Sequence, residues 1–320
     1  MLLPLLDDVQ RATELVRTVM PPTPQYTWPL LNARTGAEVW VKHENHSPVG
    51  AFKLRGAVVY MDWLKRSQPS VTGVIAATRG NHGQGVALAA TRLGLTPVIV
   101  VPHGNSREKN RAMQALGAEL IEEGDDFQAA LEYAMQLAKT RGLHPVPSFH
   151  PLLVHGTATY AFEFLNAAPQ LDAVYVPIGL GSSICGMISV RNALGLRTRI
   201  VGVVAQDAPA YAISFREKKA VPAAANSQFA DGLACRVPVP EALEAIFANV
   251  DHIVEVSEKE IAAAMRAYYE DTHNVAEGAA GAGLAAVLKE RASLHRGRVG
   301  VVFTGGNVDR ERFIDALKTI

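Results

Sequence analysis

The sequence has too few cysteines for a disulfide framework: two, Cys185 and Cys235, in 320 residues. Neither belongs to a CxxC pair, and so low a thiol content fits a reducing, cytoplasmic setting. Net charge is also lacking. Lys plus Arg and Asp plus Glu each number 31, which removes any bulk attraction to nucleic acid or to an acidic membrane. No run of about 20 uncharged apolar residues is present, so no membrane span is expected. The opening MLLPLLDDVQ carries Pro4, Asp7 and Asp8 instead of a basic region and a long apolar stretch, and does not read as a signal peptide. None of the ten histidines has HExxH or similar spacing. His150 and His155, five apart, are poorly placed on a helix for a shared metal and read as structural or surface residues. Repeats and low-complexity tracts are absent. The nearest approach, AVPAAAN at 220–226, reads as a surface loop.

What is present fits a globular protein with a large interior: 48% of residues are hydrophobic and 19% charged. The length exceeds one comfortable core and suits two lobes. Short β-branched runs at 39–42, 73–77, 97–101, 119–122, 173–177, 200–204, 252–256 and 299–303 read as strands. Between them, helical patterns occur at 50–65, 83–93, 106–116, 127–140, 182–193, 258–269 and 278–291. This alternation predicts an α/β fold of parallel sheets flanked by helices, with strands buried on both faces. Ligands of such sheets sit beyond the carboxyl ends of the strands.

Three segments have that strand–loop–helix context. In Ser47-Pro48-Val49-Gly50-Ala51-Phe52-Lys53-Leu54-Arg55-Gly56 a turn leads into a helix whose first turn carries Lys53. The positive end of the helix dipole disfavours a cation there, so Lys53 is biased towards the neutral amine that attacks an aldehyde. Alone, it reads more readily as a solvated surface lysine. Thr78-Arg79-Gly80-Asn81-His82-Gly83-Gln84-Gly85 follows a strand and opens a helix, whose backbone N–H groups suit a carboxylate. Pro177-Ile178-Gly179-Leu180-Gly181-Ser182-Ser183-Ile184-Cys185-Gly186 has glycines for close approach, two hydroxyls and a following helix, which suit a phosphate. A dinucleotide fingerprint is a weak alternative, because Ile184 occupies its third glycine position. Phe303-Thr304-Gly305-Gly306-Asn307 after the last strand is, alone, only a turn.

Taken together and in this order, A-F-K-L-R-G, G-N-H-G-Q and T-G-G-N resemble the fold type II pyridoxal-phosphate (PLP) enzymes, most closely the threonine/serine dehydratase branch that includes serine racemase. The resemblance runs from about Val39 to Asp309. It implies a two-domain, tryptophan synthase β-like α/β fold. Residues 47–143 would form a small mobile domain, and 1–46 with 144–320 the large PLP-binding one. It implies that Lys53 binds PLP as an internal aldimine and later serves as the base, that Phe52 packs beside the ring, and that Asn81 bonds the 3′-oxygen. Gly179, Leu180, Gly181, Ser182 and Ser183 would wrap the phosphate, and Thr304 would face the pyridine nitrogen. Thr78, Arg79, Gly80, Asn81 and His82 would surround the substrate carboxylate. A neutral Thr304 hydroxyl would not hold a proton on the ring nitrogen as an aspartate would, which favours prompt loss of a β-leaving group. The implied activity is dehydration of a small β-hydroxy amino acid to a 2-oxo acid and ammonia. Threonine, serine, 3-hydroxyaspartate, phenylserine and a hydroxylated diamino acid all remain open. In the family the PLP phosphate is held to protonate the leaving hydroxyl.

The resemblance further implies a homodimer and makes Asp231, in A-D-G, a candidate ligand for a monovalent or divalent cation. Glu277 matches a glutamate near the active site, followed here by Gly278 where proline is usual. Arg79 replaces the serine of racemase-like members, which argues against racemisation. At that rim it either meets a second polar group on the substrate or turns outward. The chain stops soon after T-G-G-N, from which no feedback by isoleucine is expected. A β-replacement synthase and a non-catalytic PLP-binding protein are the alternative readings.

Overall fold

The computed structural model describes residues 3–227 and 229–318, and in it the short apolar runs gather into two separate sheets. The strands are β1 (Gln25–Thr27), β2 (Glu38–His43), β3 (Gly73–Ala77), β4 (Thr96–Val101), β5 (Glu119–Glu122), β6 (His144–Pro145), β7 (Ala173–Pro177), β8 (Arg199–Ala205), β9 (His252–Val256) and β10 (Arg298–Phe303). The helices are α1 (Leu6–Arg17), α2 (Pro29–Thr35), α3 (Lys53–Ser67), α4 (Asn81–Arg92), α5 (Arg107–Ala115), α6 (Phe127–Arg141), α7 (Pro151–Ala167), α8 (Ser182–Ala193), α9 (Ala210–Glu217), α10 (Pro240–Asn249), α11 (Glu258–Thr272), α12 (Gly278–Glu290) and α13 (Arg310–Lys318).

The larger sheet has the order β1-β2-β10-β7-β8-β9 and is parallel except for the β1–β2 pair. It draws strands from both ends of the chain. The smaller, order β5-β4-β3-β6, is parallel throughout. Side chains alternate between the faces of each strand. In the larger sheet Val201, Val203 and Val301 therefore face α11 and α12, while Val174, Val176 and Val302 face α7 and α8. In the smaller sheet Val74, Ala76 and Ile99 pack against α3 and α4, and Ile75, Val98 and Val100 against α6. Burial on both faces explains why these strands read as unbroken apolar runs.

The sequence pattern does not pick out α7, and its packing gives the reason. Leu153, Val154, Thr157, Thr159, Tyr160, Ala161 and Phe164 are all buried. A helix covered on most sides has no polar stripe to betray its period. At its crossing with α3 the two backbones touch: a Cβ at Gly156 would come within 2.2 Å of the Arg55 carbonyl oxygen. The expected helix at 50–65 begins instead at Lys53. Gly50 adopts φ +67°, and the Phe52 N–H donates to the Thr304 carbonyl at 3.1 Å. The expected helix at 83–93 begins earlier, at Asn81, which brings Asn81 and His82 into its first turn.

Candidate active site

The chemically promising turns lie at the carboxyl ends of β3, β7 and β10 and around the start of α3, as an open parallel sheet requires. Backbone bonds tie them together. Ala51 bridges to Gly305, the Gly306 N–H donates to the Gly50 carbonyl at 2.9 Å, and the Glu277 N–H donates to the Gly305 carbonyl at 3.1 Å. From the other side α4 abuts Lys53, since a Cβ at Gly85 would lie 3.1 Å from the Lys53 carbonyl.

The Lys53 amine makes no hydrogen bond or ion pair among the described residues. Its amine lies 4.7 Å from the centroid of the Phe52 ring. Burial lowers its affinity for a proton and outweighs the opposing charge of Glu277, so the amine titrates at about 8. The lysine read from the sequence as biased towards neutrality is neutral-prone here for a stronger reason than the helix dipole, namely desolvation.

Among the described residues four buried side-chain polar atoms have no partner: Thr304 Oγ1, His82 Nε2, Gln84 Nε2 and the Tyr268 hydroxyl. The first three belong to the predicted segments. A buried unpaired polar atom costs about 1–3 kcal/mol, so three of them beside one uncommitted amine make a place for a polar ligand. His82 is held neutral, at about 3, by burial and by the charge of Lys53. The residues thus fit a group with a ring nitrogen, polar substituents and an aldehyde, as PLP has.

The segment 179–183 closes the other end. Gly181 takes φ +103° and leads into α8, whose free N–H groups point into the turn. A Cβ at Gly179 would strike the Gly232 carbonyl at 2.5 Å, and one at Gly181 would strike Ala242 at 2.7 Å. Hydroxyls brace the loop from outside. Tyr211 donates to the Leu180 carbonyl (2.8 Å), Thr157 to the Ser182 carbonyl (2.9 Å), and the Tyr160 hydroxyl lies 2.7 Å from Ser183 Oγ. Tyr160 also meets the Phe52 ring edge-on, at 6.2 Å, which links the loop to the neighbour of Lys53. Sequence reasoning missed these braces.

Asn81 is fixed at both ends of its amide. Its Nδ2 donates to Glu277 Oε1 at 2.7 Å, and its Oδ1 accepts from Asn307 Nδ2 at 2.9 Å. Burial pushes Glu277 up to about 7, against the pull of Lys109. Lys109 was also missed; it is buried and pairs with Asp231 at 3.1 Å and with Glu277 at 3.7 Å. The Asp231 carboxylate, read as a candidate cation ligand, faces this ammonium. Among the described residues no group of three or more His, Cys, Asp or Glu side chains is arranged to hold a metal. Thr78 Oγ1 accepts from the Gly80 N–H at 3.0 Å and so shapes the turn before α4. Arg79 stands apart: it is exposed and has no ion pair among the described residues.

The comparisons agree with this geometry. Residues 16–305 match the family described as pyridoxal-phosphate dependent enzyme. The chain is 33% identical to an L-threonine ammonia-lyase of Thermotoga maritima, over 95% of this chain and 76% of that protein. It is 33% identical to an L-threo-3-hydroxyaspartate ammonia-lyase of Saccharomyces cerevisiae, over 98% and 96%. The processed form of threonine deaminase isoform 2 from Solanum lycopersicum superposes with a TM-score of 0.90 at 28% identity, covering 99% of this chain and 89% of that one. With its family match across both sheets and its orphaned polar atoms around Lys53, the chain belongs to the pyridoxal-phosphate dependent enzymes.

Proposed function

We propose that the protein is a PLP-dependent dehydratase, an ammonia-lyase that converts a small β-hydroxy amino acid to a 2-oxo acid and ammonia. The observation that carries this reading is the pairing of an uncommitted, neutral-prone Lys53 amine with the partnerless neutral hydroxyl of Thr304. When bound, PLP supplies an electron sink that stabilises negative charge at the substrate α-carbon. The Gly179–Ser183 backbone and the start of α8 would hold its phosphate, Phe52 would flank its ring, and Thr304 would meet its ring nitrogen without delivering a full charge. Asn81 has one amide hydrogen left after its bond to Glu277, and that hydrogen would reach the 3′-oxygen.

Lys53 is suited to removing the α-proton, because burial brings its amine down to about 8 from the usual 10.5 and so makes far more of the free base available near neutral pH. Backbone N–H groups from Thr78 to His82, at the positive end of α4, would hold the substrate carboxylate. Neutral His82 adds polarity there without a second charge. The two relatives named for threonine and for threo-3-hydroxyaspartate support a hydroxy amino acid as substrate. The reading includes closure of residues 47–143 over the substrate, a homodimer, and a cytoplasmic location.

The test is release of ammonia and 2-oxo acid from L-serine, L-threonine, both 3-hydroxyaspartate diastereomers and phenylserine, with Lys53→Ala as control. Turnover of at least one substrate that vanishes in the control is expected. A PLP-loaded enzyme inert on the whole panel, or one that builds a thioether from added thiol faster than it releases 2-oxo acid, would refute it.

A further inference from the structure

Nothing in the local sequence of Lys109 announces a role. It lies on α5, beside the smaller sheet, yet it is 7% exposed and reaches residues next to the larger one. Its ammonium lies 3.1 Å from Asp231 Oδ2 and 3.7 Å from Glu277 Oε2. Its stem is held as well. A Cβ at Gly80 would come within 2.4 Å of Lys109 Cδ, and the start of α5 is anchored to the other lobe by Ser106, which donates to Asp309 at 2.5 Å. Gly80 is thus a glycine for a packing reason: a clamped lysine cannot step aside.

Glu277 passes the contact on. One of its oxygens faces Lys109, and the other accepts from Asn81. It has little room to turn, because a Cβ at Gly305 would meet Glu277 Oε1 at 2.6 Å. Contacts therefore run from ammonium to carboxylate to amide, and end on Asn81, the side chain read above as the partner of the cofactor's 3′-oxygen. Without the ammonium, the buried Glu277 carboxylate would lie near the half-buried Asp231 carboxylate with no cation between them, and Glu277 would be driven further towards its protonated form. A protonated Glu277 has an O–H of its own to donate, and the Asn81 amide loses a fixed acceptor.

We propose that Lys109 is a positioning residue for the reaction: it supplies, from the opposite lobe, the charge that keeps Glu277 a hydrogen-bond acceptor, and through Glu277 it orients Asn81 towards the cofactor. This rests on the PLP reading of the site but not on any particular substrate. It also gives Asp231 a role, as the second anion that holds the ammonium in place.

The test compares PLP-loaded wild-type enzyme with Lys109→Met, Lys109→Arg, Glu277→Gln and the Lys109→Met/Glu277→Gln double variant. The readouts are the visible absorbance band of lysine-bound PLP, the PLP dissociation constant, and kcat and KM. Lys109→Met is expected to shift the band and to lower kcat about tenfold or more with KM changed less than about threefold. Lys109→Arg is expected to restore most of the loss. In the Glu277→Gln background, Lys109→Met should cost less than about twofold, since the carboxylate it serves is gone. An unshifted band with kcat within about twofold of wild type would overturn the proposal. So would an effect of Lys109→Met that is undiminished in Glu277→Gln. Should Lys109→Met fail to fold, Asp231→Asn keeps the lysine but loosens it, and an unchanged band and PLP affinity there would overturn the proposal as well. The absorbance and affinity readouts need no turnover, so a wrong substrate class and a wrong role for Lys109 give different results.

Discussion

Two buried polar clusters flank the first turn of α3, and they differ in completeness. The first centres on Arg55, two residues beyond Lys53. Its guanidinium grips Glu44 through Nε (2.7 Å) and Nη2 (3.0 Å), and Glu163 through Nη1 (2.9 Å) and Nη2 (2.7 Å), with Thr159 at 2.9 Å. Lys42 completes the set, donating to Glu163 and to the Thr23 carbonyl, each at 2.7 Å. Two cations meet two anions, and no polar atom of the four side chains is left unpaired. The second cluster, around Lys53, holds an amine with no partner and three orphaned atoms on Thr304, His82 and Gln84. A satisfied network fixes the helix, whereas an unsatisfied one waits for a ligand. Charge and burial do not separate structure from site here; completeness does.

The largest expected effect breaks the complete cluster. Arg55→Met would strand Glu44 and Glu163 without their main partner. Removing one member of a buried ion pair costs about 3–5 kcal/mol, so urea denaturation should show a loss of that size, or no folded protein at all. The opposite cluster should respond in the opposite way. In the PLP-free protein the rate of PLP uptake follows the neutral fraction of Lys53. That rate should rise about tenfold per pH unit and level off near 8, where the buried amine titrates. A lysine at its ordinary 10.5 would keep accelerating well past that point. A profile still climbing at pH 9.5 would mean that Lys53 is not desolvated, and that the site is less closed than the structure has it.

Thr304→Val sharpens the contrast at a smaller scale. Valine keeps the shape and removes a buried hydroxyl that has no partner, so stability should hold or rise by up to about 1 kcal/mol. Turnover should fall about tenfold, the worth of one hydrogen bond to a bound group. Loss of stability together with activity would place Thr304 with the structural cluster instead.

The sequence made the fold legible where signals were local. Short β-branched runs placed most strands to within a residue at each end, and the short segments carrying Lys53, Asn81 and Thr304, each ambiguous alone, became legible when taken together and in order. What stayed hidden was non-local. Lys109 sits in REKNRAMQ, which reads as an exposed polar helix. Its ammonium is buried only because Asp231, 122 residues away, crosses to meet it. The partner of Arg55 in α7 lies 108 residues off, and Tyr160 braces Ser183 from a helix with no visible stripe. Asp231 shows the same limit from the other side: the family resemblance of A-D-G suggests a cation ligand, and only the fold reveals a lysine facing it.

The smallest expected effect concerns Arg79, which belongs to neither cluster. It is the one member of the T-R-G-N-H-G-Q turn on the surface, exposed and free of ion pairs among the described residues. Substitution of such a residue usually shifts stability by less than about 0.5 kcal/mol, so Arg79→Ser should melt within a degree or two of the wild type. Its neighbours Gly80, Asn81 and His82 open α4 at the expected carboxylate site. A guanidinium at that rim favours binding of an anionic or polar substrate before any bond changes, and its contribution is nearly the same in ground and transition states. Loss of it should therefore raise KM severalfold and leave kcat within about twofold. The rise should be steepest for whichever substrate carries a second carboxylate, because a bidentate pair is strongest there. Equal KM values for wild type and Arg79→Ser across threonine and both 3-hydroxyaspartates would assign the arginine to solvent and return the choice of substrate to the buried walls of the pocket.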